Sequence, residues 1–476
     1  MSVAPLAGDG DALRALLAEA DAALDAGRRE RAGAAPAGPP GRTAATLDAL
    51  LGADGALPAH GRGDRDALAG LVRFLAAGHT DPADPACAAH LHCPPLAVAV
   101  AADLAVSVLN PSLDSWDQGP SAAAVEDRTV AALADLVGFD PAVSCGTMTT
   151  GATASTLTAL LLAREAAGPE LRIACSDQAH FSVGRAAQVL GLPDGAVHTV
   201  ATDATGRIAV AALAQRLAEV PGPWAIVATA GTTDLGAIDP LVRIADLAAE
   251  HRAWLHVDAA YGGGALFSDR LAPLLTGIDR ADSVALDLHK LGWQPVAAGA
   301  LLLRDAARRT PLDLQVAYLN AADDDAAGYG DRLGRSLRTT RRPDAFKLLV
   351  TMRAIGRSGL GALVEHCHDL AHVAADAADA DPRLELHSRP TLTTVLLRPA
   401  DDDPTRRDRA CAELRRLLLR TGRAVVGRTE LPGEGPGRRW LKLTLLHPHA
   451  SPDAVRTLVA EIAAACPAPA TSAARG

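Results

Sequence analysis

The sequence predicts an α/β protein: a mostly parallel large-domain sheet with helices on both faces, followed by a small C-terminal α+β domain. Three observations carry that expectation. Short apolar runs alternate with helical segments between about residues 81 and 340. Several of those runs end in turns of small and polar residues. Beyond residue 341 a long helical stretch leads into a second group of strands and helices.

Taken in order, residues 1–80 read as an N-terminal helical segment. They are rich in Ala and Leu, broken by AGAAPAGPPGRTA (32–44), and helical again to about residue 78. Residues 81–340 read as the large domain. Its strands are LRIACS (171–176), AVHTV (196–200), WAIVATA (224–230), WLHVDAA (254–260), DSVALD (282–287) and VAAGALLLRD (296–305). SVGRAAQVLGL, IAVAALAQRLAEV and PLVRIADLAAEHR read as helices between them. Such near-continuous apolar runs suit parallel strands buried on both faces. Ligands of such sheets bind beyond the carboxyl ends of the strands. AADDDAAGYGDRLGR (321–335) is acidic and nearly without apolar residues, and reads as a mobile loop. Residues 341–466 read as a C-terminal small domain with a connecting helix, and 467–476 as a disordered tail.

Composition narrows the function. The chain has 476 residues and a net charge of −10, which disfavours nucleic acid and anionic membranes. Aromatics are 3% of residues, so no stacking surface for single strands is evident. Seven scattered cysteines without a CxxC read as reduced thiols rather than a disulfide framework. The N-terminus lacks the basic and apolar pattern of a signal peptide. The most apolar stretch, 94–109, is interrupted by Asp103 and falls short of a membrane span. A cytoplasmic, soluble protein is the expectation.

Chemistry-bearing residues collect at the predicted strand ends. Lys290, in DLHKLGWQP (287–295), follows a histidine at the end of an apolar run. Either it snorkels from a surface loop or it bonds a carbonyl cofactor. Asp258 ends the strand of WLHVDAAYGGG. A carboxylate there is solvated, caps a helix, or keeps a pyridine nitrogen protonated. TAGTTDLGAIDP places Gly231, Thr232 and Thr233 in a turn that either caps a helix or bonds a ring oxygen. GTMTTGATASTLTALLLAR places Gly151, Ala152 and Thr153 at a helix start. That is either an ordinary cap or a phosphate seat, and neither GK[ST] nor GxGxxG is present. His180 follows the strand of 171–176.

No metal site is expected. His90, His92 and Cys93 lack a second ligand pair, and His368 and His372 lack HExxH. Arg341 and Arg342 suit a carboxylate, a neighbouring subunit or plain surface.

The order of these features is small-residue turn, histidine, GTT turn, HVDAAYGG and then ADSVALDLHK. It resembles the pyridoxal-phosphate-dependent group II amino acid decarboxylases. Residues 89–126, 336–356 and 441–450 also resemble segments of the diaminobutyrate decarboxylases and siderophore-pathway lysine decarboxylases. The resemblance implies the PLP-dependent transferase fold, aspartate aminotransferase-like (fold type I), with pyridoxal 5'-phosphate as cofactor. It implies that Lys290 carries the cofactor as a Schiff base, that Asp258 pairs with the ring nitrogen, and that His180 stacks on the ring. Thr233 would bond the ring's 3-oxygen side and Ala260 would pack under the ring. Gly151, Ala152, Thr153 and His289 would form the phosphate seat. Gln118, Asp117 and His92 would lie toward the substrate. The sequence offers Asp114, Asp117 and the acids at 323–325 either as partners for a distal ammonium or as solvated surface acids. A homodimer with its site at the subunit interface is implied.

The implied reaction is decarboxylation of an L-amino acid with a basic side chain (2,4-diaminobutyrate, lysine or ornithine) to a diamine and CO2. The alternatives are glutamate or aromatic decarboxylation, an aldehyde-forming reaction, or cofactor binding without catalysis. Two departures stand out. TTGAT replaces the family's TSGGT, which puts Ala152 where a glycine is usual. Tyr329 is the only tyrosine in the 321–335 loop and is out of register, so the proton donor is unassigned.

Overall fold

The computed structural model describes residues 4–433 and 435–466, so the tail expected at 467–476 lies outside the described residues. Two compact units emerge. The larger holds Leu91–Ala371 and Pro390–Thr394, and the smaller holds the other described residues. The N-terminal helices and the C-terminal strands therefore belong to one unit.

The chain begins with α1 (Gly10–Arg31), α2 (Arg42–Leu51), α3 (Asp64–Gly78) and the short β1 (Cys87–Ala88). In the larger unit α4 (Ala97–Leu109) and α5 (Pro120–Val137) lead to β2 (Cys145–Thr149), α6 (Ala152–Ala167), β3 (Arg172–Ser176) and α7 (Ser182–Val189). Then come β4 (Val197–Val200), α8 (Val210–Glu219), β5 (Trp224–Thr229), α9 (Leu241–His251), β6 (Trp254–Ala259), β7 (Ser283–Asp287) and β8 (Gly299–Leu303). α10 (Ala322–Ala326) and α11 (Ala345–Asp379) follow, the latter broken at Gly356 with φ 68° and ψ 178°. The last elements are β9 (Leu384–Leu386), β10 (Thr394–Pro399), α12 (Pro404–Thr421), β11 (Val425–Glu430), β12 (Arg439–Thr444) and α13 (Pro452–Ala464).

The larger unit is built on a seven-stranded sheet in the order β2-β8-β7-β6-β5-β3-β4. β4, β3, β5, β6 and β7 run parallel. β8 is antiparallel to both β2 and β7, so β2 shares the direction of the parallel set. Every residue of β5, β6 and β7 is buried, as expected of strands covered on both faces. The register sets Thr229, Asp258 and Ala285 side by side, and Thr149, Gly299 and Asp287 likewise. Thr149, Thr229, Asp258 and Asp287 thus arrive at one edge of the sheet.

The segment expected to be a mobile loop contains α10 and a 3-10 turn at Leu333–Arg335. Arg335 Nη1 lies 2.6 Å from Asp127 Oδ1, and Arg332 pairs with the same carboxylate. Those two ion pairs tie the end of the segment to α5. Arg341 and Arg342 both find carboxylates: Arg341 is buried against Glu126 at 2.9 Å, and Arg342 reaches Asp103 at 2.5 Å. The smaller unit carries the sheet β1-β11-β12-β10-β9, with β1 parallel to β11.

Candidate active site

Five strand ends of the larger unit surround a cavity of about 290 Å³. The turn after β2 contributes Gly151, Ala152 and Thr153, and the turn after β3 contributes His180. β5 leads to Thr233, β6 to Asp258 and Ala260, and β7 to Asp287, His289 and Lys290. The cavity lies at the carboxyl ends of the parallel strands, where the N-terminus of α6 opens onto it.

The turn 287–290 is fixed by its own backbone. Lys290 N–H donates to the carbonyl of Asp287 at 3.2 Å. The Lys290 carbonyl accepts from Gly292 at 2.8 Å and Trp293 at 3.1 Å. Trp293 is fully buried with φ 52°, which anchors the far side of the turn. Lys290 Nζ lies 2.8 Å from Asp287 Oδ2, so its charge is compensated.

Asp258 is 6% exposed, and Oδ1 accepts from Ala260 N–H at 3.1 Å. Burial raises its carboxyl above the ordinary range, with the Lys290 ammonium pulling the other way. A cation placed against it would offset that penalty, and a protonated ring nitrogen is such a cation.

Both site histidines are held neutral chiefly by burial, which lowers each below its ordinary value. Ser182 N–H donates to His180 Nδ1 at 3.3 Å, and Ala298 N–H donates to His289 Nδ1 at 3.2 Å. In each ring Nδ1 is therefore the acceptor, and Nε2 carries the proton.

The GTT turn divides its labour. The Thr232 hydroxyl is buried and accepts from Ala237 N–H at 3.1 Å, while Thr233 is exposed and lines the cavity. Ala152, Ala260 and Ala285 pack together.

The residues present fit pyridoxal phosphate. Ala152 opens α6 in helical conformation, so replacing the usual glycine keeps the first-turn N–H. Gly151 has φ 146°, and a Cβ there would come within 3.3 Å of His289 Cε1. The seat beside α6 is open because that side chain is missing. Gly299 works the same way from below: a Cβ on it would meet Gly151 Cα at 2.6 Å.

Sequence reasoning did not single out Asp287. Its signal was an acid closing the buried run ADSVALD directly before LHK. Its Oδ1 accepts from Ala152 N–H at 2.7 Å across the mouth of α6.

Three residues expected near the substrate do not line the cavity. Gln118 and Asp117 are exposed in a 3-10 turn, where Gln118 Nε2 donates to Ser115 Oγ at 3.1 Å. His92 is exposed, whereas its neighbour Leu91 lines the cavity. Asp114 is buried with Oδ1 unpartnered. Tyr329 is half exposed and packs edge-on against Trp116, with ring centroids 4.9 Å apart.

Comparison with known proteins points to the same cofactor. The pyridoxal-dependent decarboxylase conserved domain matches residues 53–399. The L-2,4-diaminobutyrate decarboxylase of Rhizobium meliloti (strain 1021) is 45% identical over 417 residues, covering 85% of this chain and 82% of that one. The Acinetobacter baumannii enzyme of the same name is 32% identical, covering 79% of each chain. Among solved structures, one is the glutamate decarboxylase domain of diaminobutyrate-pyruvate transaminase and L-2,4-diaminobutyrate decarboxylase from Vibrio parahaemolyticus. It superposes with a TM-score of 0.81 at 31% identity, covering 95% of both chains. Oryza sativa TDC with PLP and tryptamine gives 0.87 at 25% identity, covering 97% of this chain and 99% of that one. The mostly parallel sheet with its helices, shared with these decarboxylase structures, is that of fold type I. With a cavity that fits the cofactor and a family match across most of its length, this chain belongs to the pyridoxal-dependent decarboxylases, enzymes that release CO2 from an amino acid.

Proposed function

We propose that this protein decarboxylates L-2,4-diaminobutyrate to a diamine and CO2, with Lys290 as the covalent anchor of pyridoxal phosphate. The observation that carries the substrate is the 45% identity to a diaminobutyrate decarboxylase over 85% of this chain. Nζ of Lys290 would hold the cofactor's aldehyde carbon, and the buried carboxylate of Asp258 would keep the proton on the ring nitrogen. Gly151, Ala152, Thr153 and His289 would receive the phosphate, and Thr233 would face the ring's 3-oxygen side. When bound, the cofactor supplies an electron sink for the pair left behind as CO2 departs.

His180 would lie against the ring, with its Nε2–H available to the substrate carboxylate. Ala260 would support the ring from below without competing for a hydrogen bond. For the distal ammonium, the exposed acids Asp117, Asp323, Asp324 and Asp325 are the candidates, since the Asp114 carboxylate is buried within the chain. None of them lines the cavity within one chain, so this role requires a second subunit.

A cytoplasmic homodimer is the setting we propose. α4 buries Ala99, Ala102 and Val106 but leaves Val100 47% and Leu104 37% exposed, one turn apart on its other side. An apolar helix face of that kind suits a subunit contact. Among the described residues no helix is long and apolar enough to cross a membrane.

The test is product analysis. Cofactor-loaded protein offered diaminobutyrate, lysine, ornithine, glutamate and tyrosine should release CO2 most rapidly from diaminobutyrate, with the diamine identified by mass spectrometry. Turnover of none of the five would end this reading. Asp258→Asn should keep the cofactor while losing roughly 10²–10⁴ in rate, the scale of a lost electrostatic partner.

A further inference from the structure

Asp287 holds three groups at once. Its Oδ1 accepts from Ala152 N–H at 2.7 Å, at the first turn of α6. Its Oδ2 lies 2.8 Å from Lys290 Nζ and 3.6 Å from His289 Nε2. The carboxylate is 4% exposed and lines the same cavity.

That first turn is where an anion is most favoured in the cavity, because the N–H groups and the helix dipole point at it. A phosphate entering there would meet a carboxylate already on the Ala152 donor. Two anions so close in one cavity repel. An amine held as an ammonium against a carboxylate also lacks the lone pair that attacks an aldehyde. Yet without Asp287 the mostly buried Lys290 would lose its counter-charge in the cofactor-free chain. One carboxylate therefore stabilises the cofactor-free site and opposes the phosphate.

We propose that Asp287 is a resident anion, seated at the N-terminus of α6 and paired with Lys290, which the phosphate of pyridoxal phosphate must displace to bind. Asp287 then sets cofactor affinity from inside the site. It does so through the phosphate and not through the ring. The inference rests on reading this cavity as the pyridoxal phosphate site.

The test compares wild type with Asp287→Asn, which keeps the shape and removes the charge. Binding of pyridoxal phosphate, pyridoxal and inorganic phosphate to the cofactor-free proteins is measured by equilibrium dialysis, and their melting is followed. The variant should bind both phosphate-bearing ligands about tenfold more tightly, bind pyridoxal no more tightly than wild type does, and melt at a lower temperature without ligand. Weaker or unchanged binding of pyridoxal phosphate to the variant would overturn the proposal. If the variant does not fold unloaded, a crystal structure of loaded wild type decides. A phosphate oxygen on Ala152 N with Asp287 turned away supports the displacement, and Asp287 Oδ1 still on Ala152 N overturns it. Wild type that binds no pyridoxal phosphate would instead refute the assignment of the cavity. Wild type that binds it while these expectations fail refutes only the role of Asp287.

Discussion

The thiol of Cys93 lies against the backbone that carries Lys290, with Sγ 3.1 Å from the Lys290 carbonyl oxygen and 3.3 Å from that of His289. Cys93 is 5% exposed, and burial pushes its thiol up to about 12, so at neutral pH it remains an S–H donor to those carbonyls. Cys93→Val keeps the bulk and removes the donor. It should cost about 1 kcal/mol in urea unfolding and weaken cofactor binding severalfold. Cys93→Ser should recover most of both. Equal losses in the two variants would show that the site needs the volume of the sulfur and not its proton.

Gly151→Ala tests the phosphate seat without touching a polar group. At φ 146° a side chain is strained, and its Cβ would stand 3.3 Å from His289 Cε1 and 3.6 Å from Asp287 Oδ1. The strain is about 1–3 kcal/mol, and the methyl group would narrow the seat. Equilibrium dialysis should show at least about tenfold weaker binding of pyridoxal phosphate, with pyridoxal less affected. Binding at wild-type strength would mean the phosphate sits elsewhere.

His256 makes the fold acid-sensitive. It is fully buried between Ser283, whose Oγ is 2.9 Å from Nδ1, and Thr156, whose Oγ1 is 3.3 Å from Nε2. Burial lowers its ring from the ordinary 6.5 to about 4. Below pH 6.5 the unfolded chain takes up a proton that the folded chain refuses until near pH 4. Stability present above pH 6.5 is therefore lost as the pH falls through that window. From this group alone the loss between pH 7.5 and pH 5 is about 2 kcal/mol. His256→Gln should be less stable at neutral pH but show a correspondingly smaller drop. An identical drop in denaturant titrations of both proteins would assign the acid limb to other groups.

The face of α4 decides the proposed dimer. Val100 and Leu104 are exposed on a helix whose opposite side is buried. A Val100→Glu, Leu104→Glu double variant should sediment as a monomer at concentrations where wild type is a dimer, with an unchanged circular dichroism spectrum. An undissociated dimer would place the contact on another surface.

Much of this protein was legible in one dimension because its chemistry sits where its periodicity changes. Lys290, Asp258 and His180 each lie at or just beyond the end of an apolar run, Gly151 lies in a small-residue turn at a helix start, and the parallel strands deliver these positions to one edge. Local pattern suffices there, since a buried strand must be apolar and its polar terminus must lie at the sheet edge. Tertiary structure decided the rest. β8 runs against its neighbours, which sets Thr149 and Asp287 across Gly299, and no local signal encodes strand direction. Asp287 and Ala152 are 135 residues apart, and only the fold brings that carboxylate to the mouth of α6. Gln118, Asp117 and His92 are polar in the sequence just as the site residues are, yet they end outside the cavity. Side-chain type names the chemistry a residue is able to do. Which residues meet depends on long-range packing, whose partners are chosen by shape and burial over the whole unit.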